Sequence, residues 1–364
     1  MVTYVHIGLP KTGSTSLQAF FRKNRRALSS CGVVYPATTG STMLDAADAL
    51  LDRSEFSDVE EFRTTLRRFW KQHDLANVGN GTASAFALLS ENPAIRASNP
   101  KYASPRLDFE TCWRELSQQA EQDEVLLVSS EELAAISPLE LQHRAAFDAR
   151  EKRIIVYLRR QDFAIEAAYS QAVRTGLFRG TIDEYVEDVL INRNPARGIF
   201  NYRKLVSDCW EAFGRQHVRV FLFEEDRDSQ WIFATALEAL GLPLDSDLDL
   251  SERSNPSLQP LFVEYLRRSL IAGRWGWPLV RRVNQLTRDP DLSIGGPRGL
   301  LSRESRARVR SHFDDDNEWL ASELFVEPRE LFISDAYPEQ FVADEYDGYF
   351  ELLDQATADL RAGK

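Results

Sequence analysis

Cysteine is scarce in this chain, and the little there is lies scattered. Cys31, Cys112 and Cys209 are three among 364 residues, an odd number with no CxxC spacing. That excludes a disulfide framework and a thiolate metal site, and it fits the reduced thiols of a cytoplasmic protein. Long hydrophobic runs are missing too: no stretch approaches the roughly 20 apolar residues that a membrane span needs. A patterned strand follows Met1 with no apolar leader between, so the expectation is a cytoplasmic protein without a transmembrane segment. Positive charge is in deficit, with 44 Lys and Arg against 56 Asp and Glu, a formal net charge of −12. Such a chain is a poor partner for nucleic acid or anionic membranes, and any anionic ligand needs a local basic site. No internal repeat is visible. Hydrophobic content of 43% with 11% aromatics nevertheless supports a proper core. The length admits one large α/β domain with insertions or two smaller ones.

The first twenty residues hold the strongest pattern. Val2 to Ile7 alternates and is β-prone, and Leu17, Phe20 and Phe21 follow at helical spacing. Between them Gly8 to Thr15 reads GLPKTGST. Strand, glycine-containing turn and helix with this spacing outline a phosphate-binding P-loop. Backbone N–H groups at a helix N-terminus, with the positive end of its dipole, make an anion site, and glycine lets the backbone fold closely around the oxyanions. A nucleotide-triphosphatase loop has lysine just after its second glycine; here Ser14 stands there and the lysine, Lys11, lies inside the loop.

Further along, Gly32 to Pro36 reads as a short second strand, Met43 to Leu51 as a helix, and Ser57 to Glu60 as a capping box opening another helix. Residues 77–106 look irregular, and Phe109 to Ala120 reads as a helix burying Phe109, Cys112, Trp113 and Leu116. Val125–Val128 and Arg153–Leu158 are continuous apolar runs, suited to buried strands of a parallel sheet, with a capped helix from Ser137 between them. A capping box at Thr181–Glu184, a helix over Tyr202–Phe213, a strand over Val218–Phe223 and a helix over Trp231–Leu240 continue the rhythm. From about Ser251 strand signals fade, and Ser302–Phe325 reads as a long helix. The expected fold is α/β: a P-loop-type open parallel sheet flanked by helices, with a mainly helical C-terminal extension. Its core would span 1–250, with a helical insertion at about 37–120, and residues 251–364 would cover the sheet's active edge within the same domain. Ligands of such sheets sit beyond the carboxyl ends of the strands, where Gly8–Thr15, Ser129–Glu132 and Arg159–Asp162 fall.

The string HIGLPKTGSTSLQ resembles the 5′-phosphosulfate loop of sulfotransferases that use 3′-phosphoadenosine 5′-phosphosulfate (PAPS), the bacterial glycan-type branch above all. Tyr157 to Asp162 and the helix after it are similar to that family's 3′-phosphate segment, with Arg159 at the arginine position. The family's serine position is held by Ala167, a departure; Ser170, about 4.5 Å further along the same helical face, is the nearest substitute. The resemblance covers residues 1–36 and 125–225 well and the remainder weakly. It implies transfer of a sulfuryl group from PAPS, without a metal, to a hydroxyl or amine of a glycan or small-molecule acceptor, leaving adenosine 3′,5′-bisphosphate. Thr12, Gly13, Ser14 and Thr15 would hold the 5′-phosphate, Lys11 would neutralise charge on the bridging oxygen, and Arg159 with Ser170 would hold the 3′-phosphate.

The attacking acceptor must lose a proton. Glu131 is the first candidate base, with Glu132 and Glu91 as competitors. His6 reads more readily as a core histidine than as a site residue. Trp275 and Trp277 with Arg274, Arg281 and Arg282 are either an acceptor platform or an ordinary basic helix–loop. Two rival readings stand beside sulfuryl transfer: a P-loop small-molecule kinase, which needs Mg²⁺ ligands, and a catalytically idle nucleotide-binding protein.

Overall fold

The computed structural model describes residues 1–9, 12–36, 109–121, 124–146, 148–191, 199–223, 229–243, 248–250, 258–287, 298–324, 331–332 and 338–358. In chain order its elements begin with β1 (Val2–Ile7), α1 (Ser14–Lys23), α2 (Arg25–Ser30), β2 (Val33–Val34), α3 (Phe109–Ser117) and β3 (Val125–Ser130). They continue with α4 (Pro138–Arg144), β4 (Glu151–Arg159), α5 (Gln161–Arg174), α6 (Ile182–Leu190), α7 (Tyr202–Phe213) and β5 (Val218–Phe223). The remainder is α8 (Ser229–Ala239), α9 (Pro260–Ile271), α10 (Trp277–Leu286), β6 (Arg298–Gly299), α11 (Arg303–Leu324), β7 (Glu339–Gln340) and α12 (Asp347–Ala356). These gather into two compact units, Met1–Leu158 with Asn201–Asn255, and Arg159–Phe200 with Pro256–Lys364.

The first unit is an α/β layer structure around an all-parallel five-stranded sheet of order β2-β3-β1-β4-β5. β1 lies at its centre, with His6 opposite Ser129 of β3 on one side and Ile155 of β4 on the other. Central parallel strands are covered on both faces, which is why β3 and β4 read as near-continuous apolar runs and why even Thr3 and His6 of the alternating β1 are buried. On one face Tyr4, Leu127, Ile155 and Tyr157 pack with Phe20 of α1 and Phe233 of α8. The Phe20 and Phe233 rings stack with centroids 4.5 Å apart and planes at 12°. Asn24, just past α1, ties the chain back: its amide donates to Phe20 O at 3.0 Å and Asp249 O at 3.1 Å, and accepts from Asp249 N–H at 2.7 Å.

The second unit is helical, with a two-residue parallel pair β6–β7. Ile165, Tyr169 and Val173 on one face of α5 join Leu261 and Leu266 of α9 and Val309 of α11 in its core. α6 opens on the reciprocal capping box of Thr181 and Glu184.

Most expected elements recur with edges moved by one to three residues. The helix after Phe109 ends at Ser117 and buries all four expected side chains; the second strand is only Val33–Val34; α8 begins two residues early, at Ser229. The expected helices at 43–51 and after Ser57, and the irregular stretch 77–106, lie outside the described residues. The division of the chain differs from the expected boundary at 250. Arg159–Phe200 gathers with the C-terminal helices, because the apolar face of α5 has its partners on α9 and α11.

Phe233 is fully buried and stacked, so Phe233→Ala should cost about 3–5 kcal/mol, a cavity plus lost transfer energy. Denaturant unfolding followed by circular dichroism checks this; a loss below about 1 kcal/mol, the size of an ordinary surface change, would deny the stack its central place.

Candidate functional site

The loop between β1 and α1 is held shut by one carbonyl. Gly8 N–H donates to Ser130 O at 3.1 Å, extending the β1–β3 ladder by one bond. The Leu9 carbonyl then accepts from Thr12 Oγ1 at 2.9 Å, Ser14 Oγ at 3.0 Å and Thr12 N–H at 3.4 Å. Thr12 and Ser14 are each 1% exposed, so both hydroxyls are used inside the turn. Both glycines are sterically required. A Cβ on Gly8 would lie 2.8 Å from Ser14 Oγ and 3.2 Å from Glu131 Cγ. Gly13 has φ +76°, and a Cβ there would lie 2.6 Å from Ile232 Cδ1 and 3.3 Å from Phe223 Cε2.

Gly13 is also the N-cap of α1, and no side chain caps this helix. The first intrahelical bond runs from Leu17 N–H to Gly13 O at 2.9 Å, so the helix itself leaves the N–H groups of Ser14, Thr15 and Ser16 unused. The first turn carries no acidic residue and the last turn carries Arg22 and Lys23. The positive end of the dipole therefore meets no carboxylate of its own helix, an arrangement suited to an anion. Pro10 and Lys11 lie outside the described residues.

Glu131 follows the end of β3 and caps the short 3-10 turn Glu132–Ala135. Thr15 Oγ1 donates to its Oε1 at 3.4 Å. This bond ties the Glu131 carboxylate to the first turn of α1. Glu132 contributes its N–H to Ser130 Oγ at 3.1 Å, and Glu91 lies outside the described residues. His6 is fully buried, its Nδ1 is 2.8 Å from Ser129 Oγ, and its ring meets Tyr157 edge-on at 5.7 Å. Burial pushes its pKa down to about 3, so the imidazole stays neutral across the working range. Its Nε2 finds no partner among the described residues, yet the residue sits in the core, as its sequence position suggested.

The arginine segment belongs to the second unit. Arg159 is 9% exposed, with its guanidinium carbon 5.8 Å from the centre of the Phe163 ring. Arg160 is in a buried ion pair. It grips Asp162 with Nε at 2.7 Å and Nη2 at 2.9 Å, and Asp162 is fully buried. Burial by itself would raise the Asp162 pKa; Arg160 and Arg306 together outweigh it and hold the carboxyl below its ordinary value. Ser170 Oγ donates to Glu166 O at 2.9 Å, one turn back along α5. Trp275 packs on Gly176, Arg274 pairs with Asp354 at 3.5 Å, and Arg282 Nε donates to Ala356 O at 3.1 Å, so these parts of the suggested platform have contacts within their own unit.

Sequence reasoning missed Arg306 and Glu166. Arg306 bonds both Asp162 and Glu166, and burial, partly offset by Arg306, raises the Glu166 pKa. A signal existed: Arg306 shares the buried stripe of α11 with Val309, Phe313 and Leu320, and a charge on an apolar stripe asks for a buried partner.

Gly13→Ala should destabilise the first unit by about 1–2 kcal/mol from the left-handed backbone alone, with the Ile232 clash added. Ile232→Val deletes the clashing Cδ1, so the double variant should recover part of the loss. Additive effects in denaturant unfolding would show that the two positions are not in contact.

No protein-family model matches the chain. An uncharacterised protein of Archaeoglobus fulgidus is 24% identical over 216 residues, 58% of this chain and 56% of that protein. The match thus spans about half of that relative's length. The crystal structure of a sulfotransferase from Alicyclobacillus acidocaldarius aligns with a TM-score of 0.40 and 18% identity over 78% of this chain and 94% of that one.

Proposed function

We propose that the protein transfers the sulfuryl group of PAPS to a hydroxyl or amine of an acceptor, of which a carbohydrate is the class its sequence favours. One observation carries the reading: a glycine-capped helix N-terminus with unused N–H groups follows the central strand and stands beside a carboxylate at the end of the neighbouring strand. Gly8 and Gly13, where a Cβ would collide with neighbouring side chains, keep the turn as tight as a phosphate-binding loop requires. In this reading the backbone N–H groups of Gly13 to Thr15 bind the 5′-phosphate, and Lys11 stabilises charge growing on the bridging oxygen. Glu131 takes the acceptor's proton, while Thr15 orients the carboxylate through the hydrogen bond they share. Arg159 holds the 3′-phosphate, with Ser170 as its helper.

The same Thr15–Glu131 pair favours one alternative. A hydroxyl on the loop helix and a carboxylate on the adjacent strand are what P-loop phosphotransferases use to hold Mg²⁺. The displaced lysine speaks against it. A thermal-shift comparison separates the two. Adenosine 3′,5′-bisphosphate should raise the midpoint without added metal; stabilisation by ATP alone, and only with Mg²⁺, would reverse the assignment.

Kinetics test the roles. Lys11→Ala should lower sulfuryl transfer by roughly 10²–10³ with a smaller effect on donor affinity, and near-normal turnover would remove Lys11 from the reaction. Glu131→Gln should lower kcat by about 10² or more with donor binding retained, whereas Glu132→Gln should leave it near the parent value. The reverse pattern would transfer the role of base to Glu132.

A further inference from the structure

Among the described residues of the second unit, buried charge gathers at the first turn of α5. Arg306, 1% exposed, reaches from α11 to two carboxylates one helical turn apart. Its Nη1 donates to Asp162 Oδ2 at 3.0 Å, and its Nη2 to Glu166 Oε2. Asp162 also takes the fork of Arg160, and Glu166 Oε1 accepts Leu300 N–H at 2.7 Å. The Phe163 ring centre is 4.4 Å from the Arg160 guanidinium, 5.0 Å from that of Arg306 and 5.8 Å from that of Arg159. Gly299 leaves the space for this, since a Cβ there would collide with Arg306 Nη2 and lie 2.8 Å from Pro338 Cγ. A reciprocal amide pair, Gln161 with Asn317 at 2.7 and 3.2 Å, fastens α5 to α11 a second time.

A buried ionic network of this kind seldom adds stability over apolar packing. What it does supply is geometry. A planar fork held on two carboxylates at successive turns fixes the rotation of α5 about its axis, and a lysine cannot reproduce that bidentate hold. β4 ends at Arg159, two residues before α5 begins, and Arg160 between them is itself held on Asp162. We infer that Arg306 is a positioning residue for the nucleotide's 3′-phosphate: it holds the first turn of α5, to which Arg159 is joined through Arg160, and so sets how sharply a 3′-phosphorylated nucleotide is preferred to its 3′-hydroxyl counterpart. The inference rests on the sulfuryl-transfer reading above. In it Arg306 touches no ligand and acts through Asp162, Phe163 and Glu166.

Isothermal titration of the full chain with adenosine 3′,5′-bisphosphate and with adenosine 5′-phosphate tests it, in the parent protein, Arg306→Lys and Glu166→Gln. The parent should prefer the bisphosphate; absence of that preference overturns the sulfuryl-transfer reading and this inference with it. Given the preference, Arg306→Lys should shrink it about tenfold or more while adenosine 5′-phosphate binds within about twofold of the parent. Glu166→Gln keeps an acceptor for the guanidinium and should shrink the preference in the same direction by less; it decides the matter if circular dichroism shows Arg306→Lys to be unfolded. An unchanged ratio in the deciding variant overturns the inference. So does an equal loss for both nucleotides, which marks Arg306 as a purely structural brace.

Discussion

One carbonyl oxygen, that of Leu9, gathers two hydroxyls and an N–H from the five residues that follow it. Several features of the described loop residues go with that convergence. It turns the chain sharply enough for α1 to begin at Ser14, directly behind the central strand. It brings Ser14 Oγ so near Gly8 that no side chain fits there, and it sets Gly13 at a positive φ against Ile232 of α8. With the hydroxyls of Thr12 and Ser14 engaged inside the turn and that of Thr15 on Glu131, the groups at the start of α1 left over for an anion are backbone N–H donors. A site made of main-chain dipoles fixed by a buried turn needs little reorganisation when charge develops on its ligand, which is the property catalysis by electrostatics requires.

The charge balance sharpens the point. A chain of net charge −12 repels a polyanionic nucleotide at long range, but at physiological salt such fields fade within about 8 Å. Local groups then decide: the positive end of α1, with no acid in its first turn, and Lys11. Glu131, 3.4 Å from Thr15 Oγ1, works against anion binding.

The glycine-spaced loop, the buried strands and the capping box of Thr181 and Glu184 were legible because each is a local pattern: a glycine spacing, an apolar run of strand length, a threonine followed three residues later by glutamate; Ser137, expected to cap the helix before β4, makes no side-chain capping bond. The expected α/β sheet is there, with the loop on its central strand. Other features depend on partners far apart in the chain. Arg306 meets Asp162 and Glu166 across about 140 residues, as separations of 144 and 140 record, and no window of sequence holds both ends. The fate of Arg160 was hidden for a different reason. Two adjacent strand-end arginines look alike in sequence, yet Arg160 grips a fully buried aspartate two residues on, while Arg159 leads β4 into α5. The grouping of Arg159–Phe200 with the C-terminal helices was likewise invisible, since the apolar face of α5 says that it is buried but not against what.

At position 167 the chain departs from the family it resembles, and the structure shows what surrounds that departure. Ser170 has its hydroxyl proton on the Glu166 carbonyl, the usual back-bond of a serine inside a helix. To donate to a phosphate oxygen it must give up that bond, so its net contribution is the difference between a charged and a neutral acceptor, about 1 kcal/mol. A serine exchanging one bond for another cannot carry much of the discrimination between a phosphate and a hydroxyl. The burden then falls on arginine, and an arginine discriminates only as well as its guanidinium is placed. Glu166 joins the two halves of this argument: its carbonyl occupies Ser170, and its carboxylate, with Asp162, holds Arg306 across the first turns of α5. A segment short of one hydroxyl is thus braced by a buried cation from α11, 139 residues beyond Ala167 in the sequence.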